Sequence, residues 1–150
     1  MPRLDVESEA WVRGNLARIW PVHLAGFTRL LGTLRRAVGG DLDLVLILSV
    51  IAERTPSEAW SQRLSPSGRL TRGDPDRVWQ EPINVQSIAD SWGIPKETVR
   101  RKVNELVKRG WIARDRLGYL SVTRQAAQGL KAETEASVSH LADLPSTLME

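Results

Sequence analysis

The first third of the chain is patterned like an amphipathic helix. From about residue 6 to residue 38, apolar residues recur every three or four positions, a spacing that places side chains on one helical face. They are Val12, Leu16, Ile19, Phe27, Leu30 and Leu34, with Trp20, Leu24, Leu31 and Val38 widening the face. Pro21 lacks a backbone amide hydrogen and interrupts the pattern. We therefore expect either two helices or one bent helix in this region.

A second apolar segment covers residues 42–54 and is apolar on almost every side. Gly39 and Gly40 end the preceding pattern, and Asp41 has the side chain of a helix N-cap. The segment is therefore predicted to be a buried helix. A strand over residues 44–51 is the alternative, because periodicity alone cannot assign a short β-branched apolar run.

Residues 55–82 interrupt the regular patterns. Their turn-forming residues are Pro56, Pro66, Gly68, Gly73, Pro75 and Pro82. We interpret this stretch as a linker or mobile loop, and nothing in its residues identifies a ligand.

Beyond Pro82 the pattern predicts a short strand over residues 83–85 and then two helices joined by a tight turn. The helices are expected over residues 86–92 and 96–109, with Gly93 supplying a left-handed turn and Pro95 helping to start the second helix. The side chains expected in the core of the first helix are Ile88, Ala89 and Trp92. Two short helices around a turn of this kind form a helix-turn-helix.

After Gly110 the sequence predicts a β-hairpin. Residues 111–115 and 119–123 alternate between apolar and polar, with a turn at residues 116–118. Such a hairpin beside a helix-turn-helix is called a wing. Arg114 and Arg116 flank its tip, where they could contact a phosphate or reach into a minor groove.

The second helix has an apolar side and a basic side. At about 100° per residue, its core side consists of Val99, Val103, Leu106 and Val107. The opposite side contains Glu97, Arg101, Asn104 and Lys108, with Lys96 and Arg100 near its edges. Arginine can pair with guanine, asparagine with adenine, and glutamate with cytosine, so this side is suited to DNA.

Recognition helices present their N-terminal residues to the bases. The residues expected closest to the bases are Lys96, Glu97, Thr98, Arg100 and Arg101, and Arg101 is the strongest single candidate. Asn104 and Lys108 are expected to meet the DNA backbone. An ordinary solvated helix face is expected for Lys102, Glu105 and Arg109, and a structural place in the core for Trp92, Trp111 and Tyr119.

The run Ser-Ile-Ala-Asp-Ser-Trp-Gly-Ile-Pro-Lys-Glu-Thr-Val-Arg-Arg-Lys-Val, followed after Asn104 by Glu-Leu-Val-Lys-Arg-Gly-Trp-Ile, resembles the winged helix of the bacterial Crp/Fnr and GntR regulators. The Crp-like pattern implies base contacts for Lys96, Glu97 and Arg101, and the GntR-like pattern adds Arg100. A Crp-like regulator would have a β-rich nucleotide-binding domain upstream, whereas this chain has helical patterns there. Helices on both sides of a central winged helix are similar to the MarR-type layout, in which terminal helices pair two subunits.

Charge strengthens this interpretation. The chain has a net charge of +3, but residues 86–124 hold nine Lys or Arg against four acidic residues, so the remainder is net negative. A polyanion such as DNA responds to this local basic surface more than to the net charge of the chain.

Composition narrows the other possibilities. The chain has no cysteine, and its two histidines have no metal-ligand spacing or phosphate-binding loop near them, so we expect neither an enzyme nor a cofactor. The longest apolar run, residues 44–52, is shorter than the about 20 residues of a membrane span. We expect a cytoplasmic protein that does not enter the membrane.

The sequence therefore predicts a mainly helical (α+β) chain built around a winged helix-turn-helix at residues 83–123. The other regions are residues 1–54 (dimerisation or core), 55–82 (linker) and 124–150 (C-terminal helix and tail). The expected function is a transcriptional regulator that binds double-stranded DNA as a homodimer, on an inverted repeat. The alternative is a winged-helix protein-interaction module within a larger assembly, and any small-molecule effector is unknown.

Overall fold

The computed structural model describes residues 2–55 and 82–148, and apart from its two end residues the linker predicted over residues 55–82 lies outside the described residues. This part of the chain is mainly helical, as predicted, with one two-stranded antiparallel sheet. The helices are α1 (Pro2–Gly14), α2 (Leu16–Ala37), α3 (Leu42–Arg54), α4 (Val85–Trp92), α5 (Lys96–Lys108), α6 (Arg124–Gly129) and α7 (Lys131–Leu148), and the strands are β1 (Ile112–Arg114) and β2 (Leu120–Val122). The chain forms two compact units, one holding α1, α2 and nearly all of α7, the other running from Val38 to Lys131.

The N-terminal pattern forms two helices, but they part at Asn15 and not at Pro21. The Asn15 side-chain amide donates to the Trp11 carbonyl oxygen (2.9 Å), and the backbone tightens locally, with Asn15 N donating to Val12 O (3.1 Å) and Arg18 N donating to Asn15 O (3.0 Å). Pro21 lies inside α2, where it removes one backbone hydrogen bond without ending the helix. Helical bonding continues on either side of the break, because Asn15 N donates to Trp11 O and Ile19 N donates to Asn15 O, both at 3.1 Å.

In the same unit α7 packs antiparallel against α2. The Arg18 guanidinium donates to the Thr147 carbonyl oxygen (2.8 Å), and the His140 ring lies directly over Gly26. His140 is buried, and its ring centroid is 5.3 Å from that of His23. The single C-terminal helix predicted within residues 124–150 is instead two helices that separate at Leu130.

The second unit is built around a continuous apolar core. The large apolar side chains that are fully buried come from α3, α4 and α5 and are Leu44, Ile47, Ile51, Ile88, Val99, Val103 and Leu106. The predicted helix over residues 42–54 is confirmed and the strand alternative is excluded. Asp41 caps that helix by accepting a hydrogen bond from Leu44 N (3.3 Å). The sequence grouped this helix with residues 1–54, whereas the structure assigns it to the unit that contains α4 and α5.

At the ends of α4 the sequence correctly predicted the Gly93 turn but not the N-cap. Asn84 accepts from Ser87 N (2.9 Å) as the N-cap, and Gly93 has the left-handed conformation at φ 64°. The strand predicted over residues 83–85 reduces to one bridge, in which Leu120 N donates to Ile83 O (2.8 Å). Trp92 was wrongly predicted to be in the core: its exposed fraction is 51%. It is the last residue of α4, where no further helical turn covers a side chain of this size.

The hairpin and α3 are joined by a buried hydroxyl. β1 and β2 pair with Ile112 opposite Val122 and Arg114 opposite Leu120. The Thr55 hydroxyl donates to Ile51 O (3.1 Å) and accepts from Val122 N (3.2 Å), so it links the end of α3 to β2. Among the helices described, none has the length and apolar character needed to cross a membrane.

Candidate nucleic-acid interface

The orientation of α5 is fixed by its apolar side. Val99, Val103 and Leu106 are completely buried, as the sequence predicted. Val107, which the sequence also placed in the core, is partly exposed, because it lies at the edge of that side. With one side anchored in the core, α5 must present its polar side outward.

An open groove of about 430 Å³ lies between α5, the start of α4 and the hairpin. Its lining residues are Asn84, Val85, Gln86, Lys96, Arg100, Asn104, Arg114, Leu117 and Gly118. Lys96, Arg100 and Asn104 follow each other at intervals of four residues, so they form one row along α5. We name this concavity the basic groove, because its three charged side chains are all cations.

Two contacts organise the basic groove. The Arg114 guanidinium donates to the Asn104 side-chain oxygen (3.1 Å), which joins β1 to α5. The Arg100 guanidinium donates to the Glu97 carboxylate (2.7 Å) one turn earlier on α5. Both contacts are exposed to solvent, so each contributes little to stability but sets where a guanidinium points.

A second set of cations lies outside the groove lining. Arg101 and Lys108 lie on the outermost side of α5, and Arg116 lies in the hairpin turn; all three are exposed. Neither they nor Lys96 have a hydrogen-bond or ion-pair partner among residues 2–55 and 82–148. These charges remain available to an external anion.

The sequence-predicted site residues therefore divide into two groups. The basic groove brings together Lys96, Arg100, Asn104 and Arg114, whereas its lining does not include Glu97, Thr98, Arg101, Lys108 and Arg116. Sequence reasoning missed Asn84, Gln86 and Leu117. An asparagine three residues before Ser87 is a recognisable N-cap signal, and it would have moved the start of α4 into the site. Leu117 carries no such signal, yet it is 80% exposed at the hairpin tip.

The prediction that Lys102 lies on a solvated face of α5 is wrong. Its ammonium donates to the Asp41 carboxylate (2.5 Å), and only 12% of its side chain is exposed. Burial alone would raise the pKa of Asp41, but hydrogen bonds from Lys102 and Leu44 N, together with the charge of Lys102, lower that pKa below its usual value. Lys102 therefore holds α5 against the start of α3 and is not part of the interface.

Arg109 and Trp111 also make contacts that stabilise the fold. The Arg109 guanidinium donates to Glu105 (2.9 Å) and lies 5.2 Å from the centre of the Trp111 ring. Trp111 packs against the core, as predicted, and its indole lies close over Gly129. These side chains fix the end of α5 and the start of the hairpin.

Within the residues described, no cluster of three or more His, Asp or Glu side chains could hold a metal ion. Comparisons of the chain with protein-family models, with curated proteins and with solved structures found no match.

Proposed function

We propose that residues 83–123 form a winged helix-turn-helix that binds double-stranded DNA sequence-specifically, and that the protein is a transcriptional regulator. In this proposal α5 is the recognition helix and enters the major groove, while the β1–β2 hairpin is the wing and contacts the backbone or the minor groove. The observation that carries the proposal is the concentration of exposed cations on one side of a helix whose other side is buried.

The two sets of cations suit different parts of the DNA. Arg101 is exposed, its side chain has no partner within the part of the chain that the structure describes, and it lies in the N-terminal half of α5. We therefore assign it to a base edge, where a guanidinium can pair bidentately with guanine. Lys96 and Arg100 line a concave surface beside the start of α4, which suits a phosphate. Lys108 and Arg116 lie farther out and are assigned to flanking phosphates.

Asn104 has a more restricted role in this proposal than the sequence suggested. Its side-chain oxygen already accepts from Arg114, so the carboxamide and the guanidinium form one polar unit between α5 and β1. We assign Asn104 to positioning Arg114 against the DNA backbone. The sequence predicted a direct contact between Asn104 and the DNA backbone, whereas in this proposal Asn104 acts through Arg114.

Specific recognition is proposed to use two copies of the chain. Dimeric helix-turn-helix proteins meet two half-sites whose centres are about 10 base pairs, or a multiple of that, apart. We therefore expect an inverted-repeat operator that is contacted by one basic groove from each subunit.

The direct test is a fluorescence-anisotropy titration against random and genomic duplexes at low salt. Wild-type protein should select a palindromic fragment, and Arg101→Glu should weaken binding to it by at least about 5-fold, since a bidentate base contact is worth about 1–3 kcal/mol and about 1.4 kcal/mol corresponds to a tenfold change. Arg101 has no described internal partner, so the thermal unfolding midpoint should stay unchanged. Lys131→Glu makes the same charge change at an exposed site outside the interface and should bind like wild type.

Two results would contradict the proposal. One is the absence of duplex binding at low salt, and the other is equal binding by wild type and Arg101→Glu. Absence of binding would favour a protein-interaction module, which would use the winged helix as a scaffold without contacting DNA. Equal binding would show that Arg101 does not contact a base and that α5 is not the recognition helix in the orientation proposed.

A further inference from the structure

The tip of the β1–β2 hairpin carries one large apolar side chain. Leu117 is 80% exposed, the largest exposed fraction among the large apolar side chains that the structure describes. It also forms part of the wall of the basic groove, together with the cations Lys96, Arg100 and Arg114. A single exposed leucine is ordinary on a protein surface, so its meaning depends on how it is held and on what surrounds it.

Four hydrogen bonds hold the backbone of the tip. One Asp115 carboxylate oxygen accepts from Leu117 N and from Tyr119 N, both at 2.9 Å. Two backbone bonds close the same turn, from Gly118 N to Asp115 O (3.1 Å) and from Asp115 N to Tyr119 O (2.9 Å). Gly118 supplies the left-handed residue at the end of the turn, at φ 85°. The turn is therefore preformed, and the leucine side chain projects from it into solvent.

The strands below the tip are anchored in the same core as α5. Ile112 on β1 and Leu120 on β2 are buried there with Val99 and Val103 of α5. The hairpin and the proposed recognition helix therefore belong to one packed unit. Placing α5 in the major groove then brings the tip to the DNA backbone and the neighbouring minor groove.

The charges around Leu117 favour a polyanion. Among the described residues that line the basic groove, three are cations and none is acidic. The preceding residue, Arg116, is exposed, and the carboxylate of Asp115 is occupied by two backbone amides. The minor groove has phosphates along both rims, and base steps at its floor admit apolar side chains. A leucine beside arginines fits this combination of an anionic rim and an apolar interior.

We propose that Leu117 enters the minor groove and acts as a wedge between two neighbouring base pairs. Leucine is among the apolar side chains that proteins insert at a base step, which partly unstacks the step and kinks the duplex by about 20–90°. Pyrimidine–purine steps deform most readily. Leu117 therefore selects such a step by its deformability and not by hydrogen bonds to base edges. The proposal rests on the proposed function, because it requires α5 to lie in the major groove.

DNA bending tests the wedge directly. The probe is the palindromic duplex that wild type selects, with a fluorescent donor at one end and an acceptor at the other. Wild type should increase energy transfer by bending the duplex at least about 20°, whereas Leu117→Ala should bind with little or no bend. Leu117→Met keeps a long apolar side chain and should restore the bend.

Two controls accompany the bending measurement. Because Leu117 is largely exposed, Leu117→Ala should unfold at the same temperature as wild type. Leu42→Ala makes the same truncation at another exposed leucine, outside the lining of the basic groove, and should bend the duplex like wild type.

The wedged step can be located with 2-aminopurine, a base analogue that fluoresces more strongly when it is unstacked. With the analogue placed at each position in turn, wild type should brighten one step per half-site, and Leu117→Ala should brighten none. Replacing that step with a stiff A-tract should weaken wild-type binding by at least about 5-fold and leave binding by Leu117→Ala unchanged.

The outcomes separate this proposal from the proposed function. Binding by wild type without a bend, or an equal bend by wild type and Leu117→Ala, would overturn the wedge. If Arg101→Glu still weakens binding in that case, DNA recognition by α5 stands, and Leu117 is left for contact with a protein partner. Absence of duplex binding by wild type would overturn both proposals.

Discussion

At the scale of single residues, Asp41 combines two interactions that sequence reasoning treats separately. One carboxylate oxygen accepts from Leu44 N and caps α3, and the other accepts from Lys102 on α5. The cap was predictable, because Asp before an apolar helix is a local signal. The ion pair was not, since its partners are 61 residues apart and a helical wheel gives only the direction of Lys102.

Asp41→Asn should remove the ion pair and keep most of the cap, because asparagine is also a good N-cap residue. It leaves a largely buried ammonium without its anion, so we expect the free energy of unfolding at pH 7 to fall by about 1–2 kcal/mol. Asp43→Asn, in the first turn of the same helix and exposed, should have a smaller effect, because it removes only a favourable charge at the helix N-terminus. Urea unfolding of the three proteins measures the difference.

The difference in unfolding free energy between wild type and Asp41→Asn should depend on pH. The pKa of Asp41 is lowered in the folded chain, so its charge stabilises the fold at neutral pH, and this contribution is lost as the pH falls through the lowered pKa. The stability gap between wild type and Asp41→Asn should therefore narrow in acid. A gap that stays constant from pH 7 to pH 3 would show that the carboxylate charge is not responsible.

At the scale of elements, close packing between α2 and α7 depends on the absence of a side chain at Gly26. A Cβ atom there would overlap the buried His140 ring. The sequence showed a glycine inside an amphipathic pattern but not the partner helix that requires it. The helical content was predictable from the spacing of apolar residues. The break at Asn15 and the separation of α6 from α7 were not, because they depend on local hydrogen bonds and caps.

Gly26→Ala should lower the thermal unfolding midpoint, although alanine normally stabilises a helix interior by about 1 kcal/mol. Forcing a methyl group against the imidazole costs about 1–3 kcal/mol, which exceeds that gain. Gly32→Ala in the same helix is the control: its nearest neighbour would be the flexible Arg36 guanidinium at 3.9 Å, so it should be neutral or stabilising. Circular dichroism melts compare the two, and His140→Ala should rescue Gly26→Ala if the clash is the cause.

At the scale of the whole molecule, the division into two units was the least predictable feature. α3 was assigned to the N-terminal region because it follows that region in sequence, but Ile47 and Ile51 belong to the core of the second unit. Periodicity identifies a buried helix without saying which neighbours bury it. The row of Lys96, Arg100 and Asn104 was predictable from the helical repeat, whereas the part of the groove formed by Asn84 and Leu117 required the fold.

If two copies of the chain bind one DNA site, as proposed, the DNA affinity should depend steeply on salt concentration. Each phosphate contact contributes about 0.9 to the slope of log K against log salt concentration. Removing one contact per subunit with Lys108→Gln should therefore lower the slope by about two for a bound dimer. Lys131→Gln should leave the slope unchanged, and anisotropy titrations at four salt concentrations provide the measurement. Equal slopes for Lys108→Gln and wild type would exclude Lys108 from the phosphate contacts.

The hydrogen bond from Arg114 to Asn104 has a consequence for how such a protein can diverge. A change at position 104 that removes the acceptor also releases the guanidinium of the neighbouring strand, so the two positions are not independent. Among descendants of a common ancestor, we expect substitutions at 104 and 114 to occur together more often than either alone. A lineage that changes position 104 of α5 would then be expected to alter position 114 of its hairpin in the same period.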